Sequence, residues 1–395
     1  VGYTQSYGVF QAHYASEAAV TDNIIGNKEH KSQAAIAAIG SLGNGGIVAL
    51  FSILLYPWLP SLGRWVRLVC FFGACLMSLG LGLAAASRNF AHLLCTQGII
   101  FGLGSGIIQY TLAPVLPEYF NKRAGLAQGI VIAAAGLGGG CYSPLVRALL
   151  QGIGTRKTLG VLAAIHLVVN TIASMMARGP RKFQKRKKGI VGFAAFKEPI
   201  VVLLMAVNFI SALIVMVPMC FGPEFSKSLG YNSKTAALLL ALTSLVGVPA
   251  RLLLGCLADK LGHQNTLFAG IAVYAASAWA IWLPTAQKGN KALWIIFLIL
   301  YGLVNGVAQT LIPSVQKSIF GNEKYYSYAG VFASGRGVGL LFGVLIAGEL
   351  IKKADEAWEF SEAIIYTASL ASIGAVCLFL VRWLQARKAG WKWVQ

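Results

Sequence analysis

Long apolar stretches alternate with short polar ones along almost the whole chain. Apolar runs lie at about 33–56, 67–86, 93–117, 125–150 and 158–177, then at 199–222, 235–257, 265–284, 292–315, 327–351 and 362–384. Each is near the ~20 residues a helix needs to cross a bilayer. The segment up to Tyr14 is too short to span and reads as the end of a first helix, which brings the total to about twelve. The chain opens at Val1 without the basic start, apolar core and small-residue site of a signal peptide, so the expectation is a first helix cut short. The longest polar interruption is central, where Arg178, Arg181, Lys182, Lys185, Arg186, Lys187 and Lys188 crowd together. Such a block suits a linker at a membrane surface, drawn to anionic headgroups. It divides the chain into residues 1–177, an N-terminal six-helix half with an incomplete first helix, 178–196, a basic linker, and 197–395, a C-terminal six-helix half.

Composition sharpens the class. Hydrophobic residues make up 57% of the chain and charged ones 12%, at a mean hydropathy of +0.68. A soluble fold with that much apolar surface would have no polar exterior left, so the expected class is an all-α integral membrane protein. A net charge of +20 would suggest nucleic acid in a soluble protein. Here the basic residues sit in loops. Arg64 and Arg67, Lys122 and Arg123, the central block, Lys260, Lys317 with Lys324, and Arg382 with Arg387 and Lys388 all fall on one side. The other side is mixed, with Glu17, Asp22 and Lys28, or Lys352, Lys353, Asp355, Glu356 and Glu359. The positive-inside rule then puts both termini and the linker in the cytoplasm and makes the lipid bilayer, not nucleic acid, the partner. The two halves start with the same polarity, as parallel repeats do. The seven cysteines (Cys70, Cys75, Cys95, Cys141, Cys220, Cys256 and Cys377) show no CxxC or CxxH spacing, so they read as packing residues, and no metal or cofactor is expected. Glycines recur at small-xxx-small spacing, as in Gly98, Gly102 and Gly106 or Gly335, Gly339 and Gly343, which suits close helix packing.

Two motifs carry a resemblance. After the run at 235–257 comes Gly255-Cys-Leu-Ala-Asp259-Lys260-Leu-Gly262-His263. It resembles the cytoplasmic loop motif of the major facilitator superfamily, in which a carboxylate sits at a neighbouring helix's N-terminus beside basic partners. The equivalent first-half loop keeps Gly63 and Arg64 but has Pro60 where the acid should stand. The second motif runs Glu118-Tyr119-Phe120-Asn-Lys122-Arg123-Ala-Gly125-Leu-Ala-Gln-Gly129 and on to Gly136-Leu-Gly-Gly-Gly140-Cys-Tyr142-Ser-Pro144. It resembles the monocarboxylate porter family, particularly its fungal branch, as do Gly2–Gln11 and Phe196-Lys197-Glu198-Pro199. The resemblance implies a major facilitator fold of two six-helix bundles and transport of lactate-like or other organic anions, often with a proton. The family's animal members carry an Asp one turn before a substrate-binding Arg in the eighth helix. Arg251 matches the Arg, and Gly247 stands where the Asp would be. Proton coupling through that pair is therefore not expected, and any proton would travel on the substrate's own carboxyl or on a group before Val1.

Arg251 lies two turns before Asp259, ~12 Å from the end of its helix. A guanidinium at that depth is costly against lipid and should face a cavity or a partner, where its planar fork suits a carboxylate. The alternatives are snorkelling to headgroups or pairing with Asp259. Arg336, ~13 Å into its run, is a second candidate cavity charge or a helix-interface residue. Asn305 and Gln309 share a face at i, i+4 spacing and line the cavity or bond across helices. Tyr110 and Tyr142 are polar tips on apolar helices, hydrogen-bond donors to substrate or interhelical glue. His166 is the one histidine inside a helix and reads as packed. The gate candidates are Gly255, Asp259, Lys260, Gly262 and His263.

No ATP-binding loop, nucleophile elbow or paired acid and base is present, so an enzyme is not expected and gradients must supply the energy. The expectation is a carrier of a small organic anion, a monocarboxylate with or without a proton, by alternating access. It would be monomeric or paired with an accessory membrane protein, with the plasma membrane favoured over vacuolar or other internal membranes. The rivals are an exporter or importer of a larger metabolite, such as a fungal secondary metabolite or vitamin-like compound, and a non-transporting membrane sensor. No loop or tail is long enough to be a signalling domain.

Overall fold

The computed structural model describes residues 2–16, 32–43, 65–113, 124–177, 196–351 and 356–389, with isolated positions between 19 and 25. Among these, every regular element is a helix. In chain order they are α1 (Tyr7–Tyr14), α2 (Gln33–Ser41), α3 (Val66–Ala85), α4 (Phe90–Leu112), α5 and α6 (Ala124–Met176, divided at Gly154), α7 (Pro199–Ser228), α8 (Ser233–Leu261), α9 (His263–Lys288), α10 (Lys291–Gly321), α11 (Tyr328–Leu350) and α12 (Ala357–Arg387). Most of the central linker, the Pro60–Arg64 loop and the Glu118–Arg123 motif lie outside the described residues.

Nine described stretches are long and apolar enough to cross a membrane. One of them, Gly125–Met176, has 52 residues, which as a straight helix would be ~78 Å long, more than twice the hydrocarbon thickness. Gly154 (φ 77, ψ 170) breaks it into two passes, in a backbone conformation that costs glycine nothing. Tight hairpins follow from similar chemistry. Asn232 caps α8 by accepting from the Thr235 amide at 2.7 Å, and Gly262 (φ 96) turns the end of α8 into the start of α9. Outward faces are apolar: Phe71, Phe72 and Leu79 on α3, Val168, Val169 and Ile172 on α6, and Ile373, Val376 and Phe379 on α12 are all exposed. A surface of that kind is stable with lipid as its solvent.

Several expectations need correcting at the level of elements. The run at 199–222 continues as helix to Ser228, because Pro223 is accommodated inside it, and it bends instead at Met216. The tenth span is interrupted at Asn305–Gly306, so Asn305 and Gln309 do not share one continuous helix face. Cys95, Cys141 and Cys256 are exposed on outward faces and do not pack the interior. The small-residue stripes do seat neighbouring backbones, since a Cβ on Gly102 would overlap the Leu42 carbonyl and one on Gly343 the Leu213 carbonyl.

The portion of the chain before residue 177 meets the portion after 196 along several seams. α5 lies beside α8 over most of its length, from Gly125 against Gly255 at one end to Arg147, whose Nη1 donates to the Ser233 carbonyl at 2.8 Å, at the other. α1 packs on the second half of α7, where a Cβ on Gly8 would come within 2.7 Å of the Met219 carbonyl oxygen. α2 packs against the stretch Val307–Leu350, which holds the end of α10 and all of α11.

Candidate functional site

At one end of the α5–α8 seam, Asp259 ends α8 as the lone acid of its loop. Its Oδ1 accepts from the Gly125 amide at 3.0 Å and its Oδ2 from the Leu126 amide at 3.1 Å. These are the first free N–H groups of α5, so the carboxylate caps a helix from the other portion of the chain, with the helix dipole in its favour. His263 Nε2 lies 3.3 Å from Oδ1. The contact depends on two glycines, because a Cβ on Gly125 would sit 2.7 Å from the Gly255 carbonyl and one on Gly255 would sit 2.6 Å from the Gly125 carbonyl. Gly262 contributes its positive φ and brings His263 back over the carboxylate. Lys260 is exposed and takes no part in the cluster among the described residues, so the basic partner in place is His263 alone.

Further along the seam lies Arg251, 2% exposed. Its guanidinium rests in a cradle of three glycines, one on each of three helices. A Cβ on Gly136 of α5 would overlap Nη1, a Cβ on Gly306 of α10 would overlap Nε, and one on Gly247 of α8 would stand 3.2 Å from Cζ. Nε and Nη1 are buried without a hydrogen-bond partner among the described residues. Buried donors left unmade cost ~1–3 kcal/mol each, and more when the group is charged. Among the described residues no acceptor offsets that cost at Nε and Nη1. Pairing with Asp259 and snorkelling to headgroups, the alternatives open at the sequence level, are both absent from this geometry.

Around Arg251 the polar groups of α9 and α10 hold the bend in α7. Tyr301 donates to the Val215 carbonyl at 2.5 Å, Tyr274 donates to the Ile214 carbonyl at 3.3 Å, and the Asn305 amide reaches the Met219 sulfur at 3.5 Å. A helix bend frees carbonyls, and these side chains satisfy them. Tyr301 is also within electrostatic range of Arg251. Tyr274, Tyr301, Asn305 and Ser211 line a small cavity. Gln309 is half-buried and stands away from that cavity.

The other candidates fall in two further places. Arg336 of α11 approaches the buried Tyr110 hydroxyl of α4, a further polar approach between the two portions, though the hydroxyl makes no hydrogen bond of good geometry among the described residues. Tyr142 packs beside His166, ring centroids 5.8 Å apart, and Tyr3 and Phe101 close the same aromatic cluster. Gln97, on a π-helical stretch of α4, donates to Tyr3 and accepts from the Tyr14 hydroxyl at 2.7 Å. Such a bulge aims a polar side chain into the packing. Arg251 sits in the glycine cradle, Asn305 lines the neighbouring cavity and bonds Met219, and Tyr142 and the Tyr110–Arg336 approach belong to other contacts.

Sequence reasoning missed Glu224, a buried carboxylate on α7. Pro223 just before it ends the apolar run and makes the acid look like loop. The glycine cradle was also missed, although Gly136 lies inside a motif read for its resemblance.

Membrane-spanning helices that meet around a buried cation, with closed seams at both ends, define a polytopic carrier. The chain belongs to the Major Facilitator Superfamily, whose profile matches residues 23–344. It is similar to the agnestins efflux protein of Paecilomyces divaricatus, 26% identical over 351 residues that cover 89% of this chain and 77% of that one. It is also similar to the aspyridones efflux protein of Emericella nidulans, 26% identical over 385 residues, 96% of this chain and 74% of that one. A probable transporter of Saccharomyces cerevisiae is 26% identical over 328 residues, 82% of this chain and 66% of that one. In fold it resembles the proton:xylose symporter XylE, with a TM-score of 0.70 at 12% identity over 98% of this chain and 93% of that one. The human organic anion transporter MFSD10 gives 0.65 at 14% identity over 96% and 97%. The protein is a multi-pass transporter of this superfamily with its all-helical fold.

Proposed function

We propose that this transporter exports an organic anion by alternating access, with the anionic group held on Arg251. The observation that carries the proposal is the buried guanidinium with Nε and Nη1 unmatched, placed between helices of both portions of the chain. Gly247 supports it. An Asp there would begin 3.2 Å from the guanidinium carbon and neutralise it, whereas glycine leaves the charge to a ligand. The efflux proteins among the relatives favour export of a metabolite over uptake of a monocarboxylate. In this scheme residues 1–177 and 197–395 form two six-helix halves joined by a cytoplasmic linker. Asp259 on the α5 N-terminus latches the cytoplasmic face.

Transport of labelled organic acids by the purified protein in proteoliposomes tests the proposal. Arg251→Lys keeps the charge but loses the bidentate fork. Losing one partner of a desolvated pair costs ~2–5 kcal/mol, so half-saturation should rise tens- to thousands-fold. Arg251→Ala should nearly abolish transport. Unchanged affinity of Arg251→Lys for every acid transported would contradict the assignment.

A further inference from the structure

Several buried hydroxyls on the spans satisfy themselves on their own helix. Thr243 donates to the Leu239 carbonyl at 3.0 Å, Ser226 to the Gly222 carbonyl at 2.8 Å, and Thr310 to the Gly306 carbonyl at 2.8 Å. Ser244 of α8 does not. It is buried, and its Oγ has no hydrogen-bond partner among the described residues, although the Leu240 carbonyl lies one turn back on the same helix. Leaving a buried hydroxyl unpaired is costly, so the group calls for a partner that the resting protein lacks. Ser41, Thr111 and Ser314 are unpaired as well, and what sets Ser244 apart is its place.

Ser244 precedes Arg251 by seven residues, about two turns of one helix, so the two share a face. Both border the same glycine of the facing helix. A Cβ on Gly136 of α5 would overlap Nη1 of Arg251 and stand 3.1 Å from the Ser244 carbonyl oxygen. The guanidinium reaches back along α8 as far as Gly247, whose added Cβ would lie 3.3 Å from Nη1. Ser244 follows three residues further in that direction, a step of ~4.5 Å along the axis. One more turn on, Leu240 meets α1, where a Cβ on Gly8 would come within 3.2 Å of Leu240 Cδ2. Ser244 therefore lies on the seam itself, between the buried guanidinium and the α1 contact.

Resting on the reading that Arg251 holds the anion, we infer that Ser244 is a specificity-determining contact that donates its hydroxyl to an oxygen on the cargo's third carbon. The step along α8 selects that position. In an extended acid an oxygen on the second carbon stays within ~3.7 Å of the carboxylate oxygen, whereas one on the third reaches ~4.8 Å. The favoured cargo is then a 3-hydroxy or 3-oxo acid, its carboxylate on Arg251 and its second oxygen on Ser244. A plain acid of the same length leaves the hydroxyl buried and unpaired, which is how a polar site rejects an analogue that lacks the matching group. In the closed seam Gly136 covers both groups, so cargo reaches them when α5 moves off α8.

Calorimetric titration of the full purified chain tests this with two matched pairs of probes, hexanoate with 3-hydroxyhexanoate and 3-phenylpropionate with 3-hydroxy-3-phenylpropionate. In the wild type the hydroxylated member of a pair should bind about fivefold tighter. Ser244→Ala should remove that preference by weakening the hydroxylated acid alone, and should keep the preference for an acid over its neutral amide. Without any ligand, Ser244→Ala should melt no lower than the wild type, because it deletes an unpaired group. A lower midpoint would show that the hydroxyl has a partner in the resting protein and would overturn the assignment. Equal binding of both members of each pair to the wild type, or a hydroxyl preference that survives Ser244→Ala, would overturn it too. A wild type that does not prefer acid to amide would instead overturn the Arg251 reading, so the two failures are told apart. A wild type that binds none of the four acids would overturn both.

Discussion

A buried arginine whose Nε and Nη1 are unmatched among the described residues is a liability to the resting protein. Replacing such a charge with an apolar side chain of similar length is commonly neutral or stabilising by ~1–4 kcal/mol. Arg251→Met should therefore hold or raise the thermal midpoint of the purified protein while anion transport is lost. A purely structural arginine would show the opposite, a fall in midpoint by thermal-shift assay. Gly136→Ala should act on the same group from the facing helix. Its methyl would overlap Nη1, so the guanidinium must move, at ~1–3 kcal/mol of overpacking strain. Half-saturation for the anion should rise while the protein remains in the membrane, and unchanged affinity would count against the cradle. Arg251 was legible from its depth and from the motif around it. Glu224 was not, because a proline next to an acid is the ordinary signature of a loop, and only helix geometry shows Pro223 inside the span. Lys260 and Gln309 share residue type and spacing with their neighbours, and spacing alone does not say which way a side chain points once a helix breaks.

At the scale of elements, contacts between helix ends and backbones hold the two portions of the chain together. Asp259 accepts two amides of α5 at 3.0 and 3.1 Å. Asp259→Asn removes the charge from that helix end, a change worth ~0.3–2 kcal/mol. The Asp259 face should open more often, seen as faster maleimide labelling of a cysteine placed on the α5–α8 seam. Labelling at the wild-type rate would remove Asp259 from the latch. Gly255→Ala should do more damage, since its Cβ meets the Gly125 carbonyl at 2.6 Å and backbone cannot swing aside. The spans of most helices followed from hydropathy within a few residues. Breaks at Met216 and Asn305 did not, because side chains distant in sequence stabilise them: Tyr301 and Tyr274 satisfy carbonyls on α7. The glycine-rich stripes told of close packing without naming the partner helix.

Across the whole molecule, seams close at both faces, the Asp259 contact at one and the α1–α7 contact at the other, with Arg251 between them. An alternating-access carrier needs each seam to open in turn around a site that both portions of the chain share. Class and membrane embedding were legible from composition alone, since lipid is the one solvent for such a surface. The cargo was not, because its chemistry is read by a few side chains from separate helices that only folding brings together. The central claim is that Arg251 reads the negative charge of the cargo. The most direct measurement compares half-saturation in proteoliposomes for a transported acid and its neutral amide, in wild type and Arg251→Lys. Wild type should prefer the acid by at least tenfold, and Arg251→Lys should lose most of that preference by weakening the acid alone. Equal affinity for acid and amide in the wild type, or a preference untouched by the substitution, would contradict it.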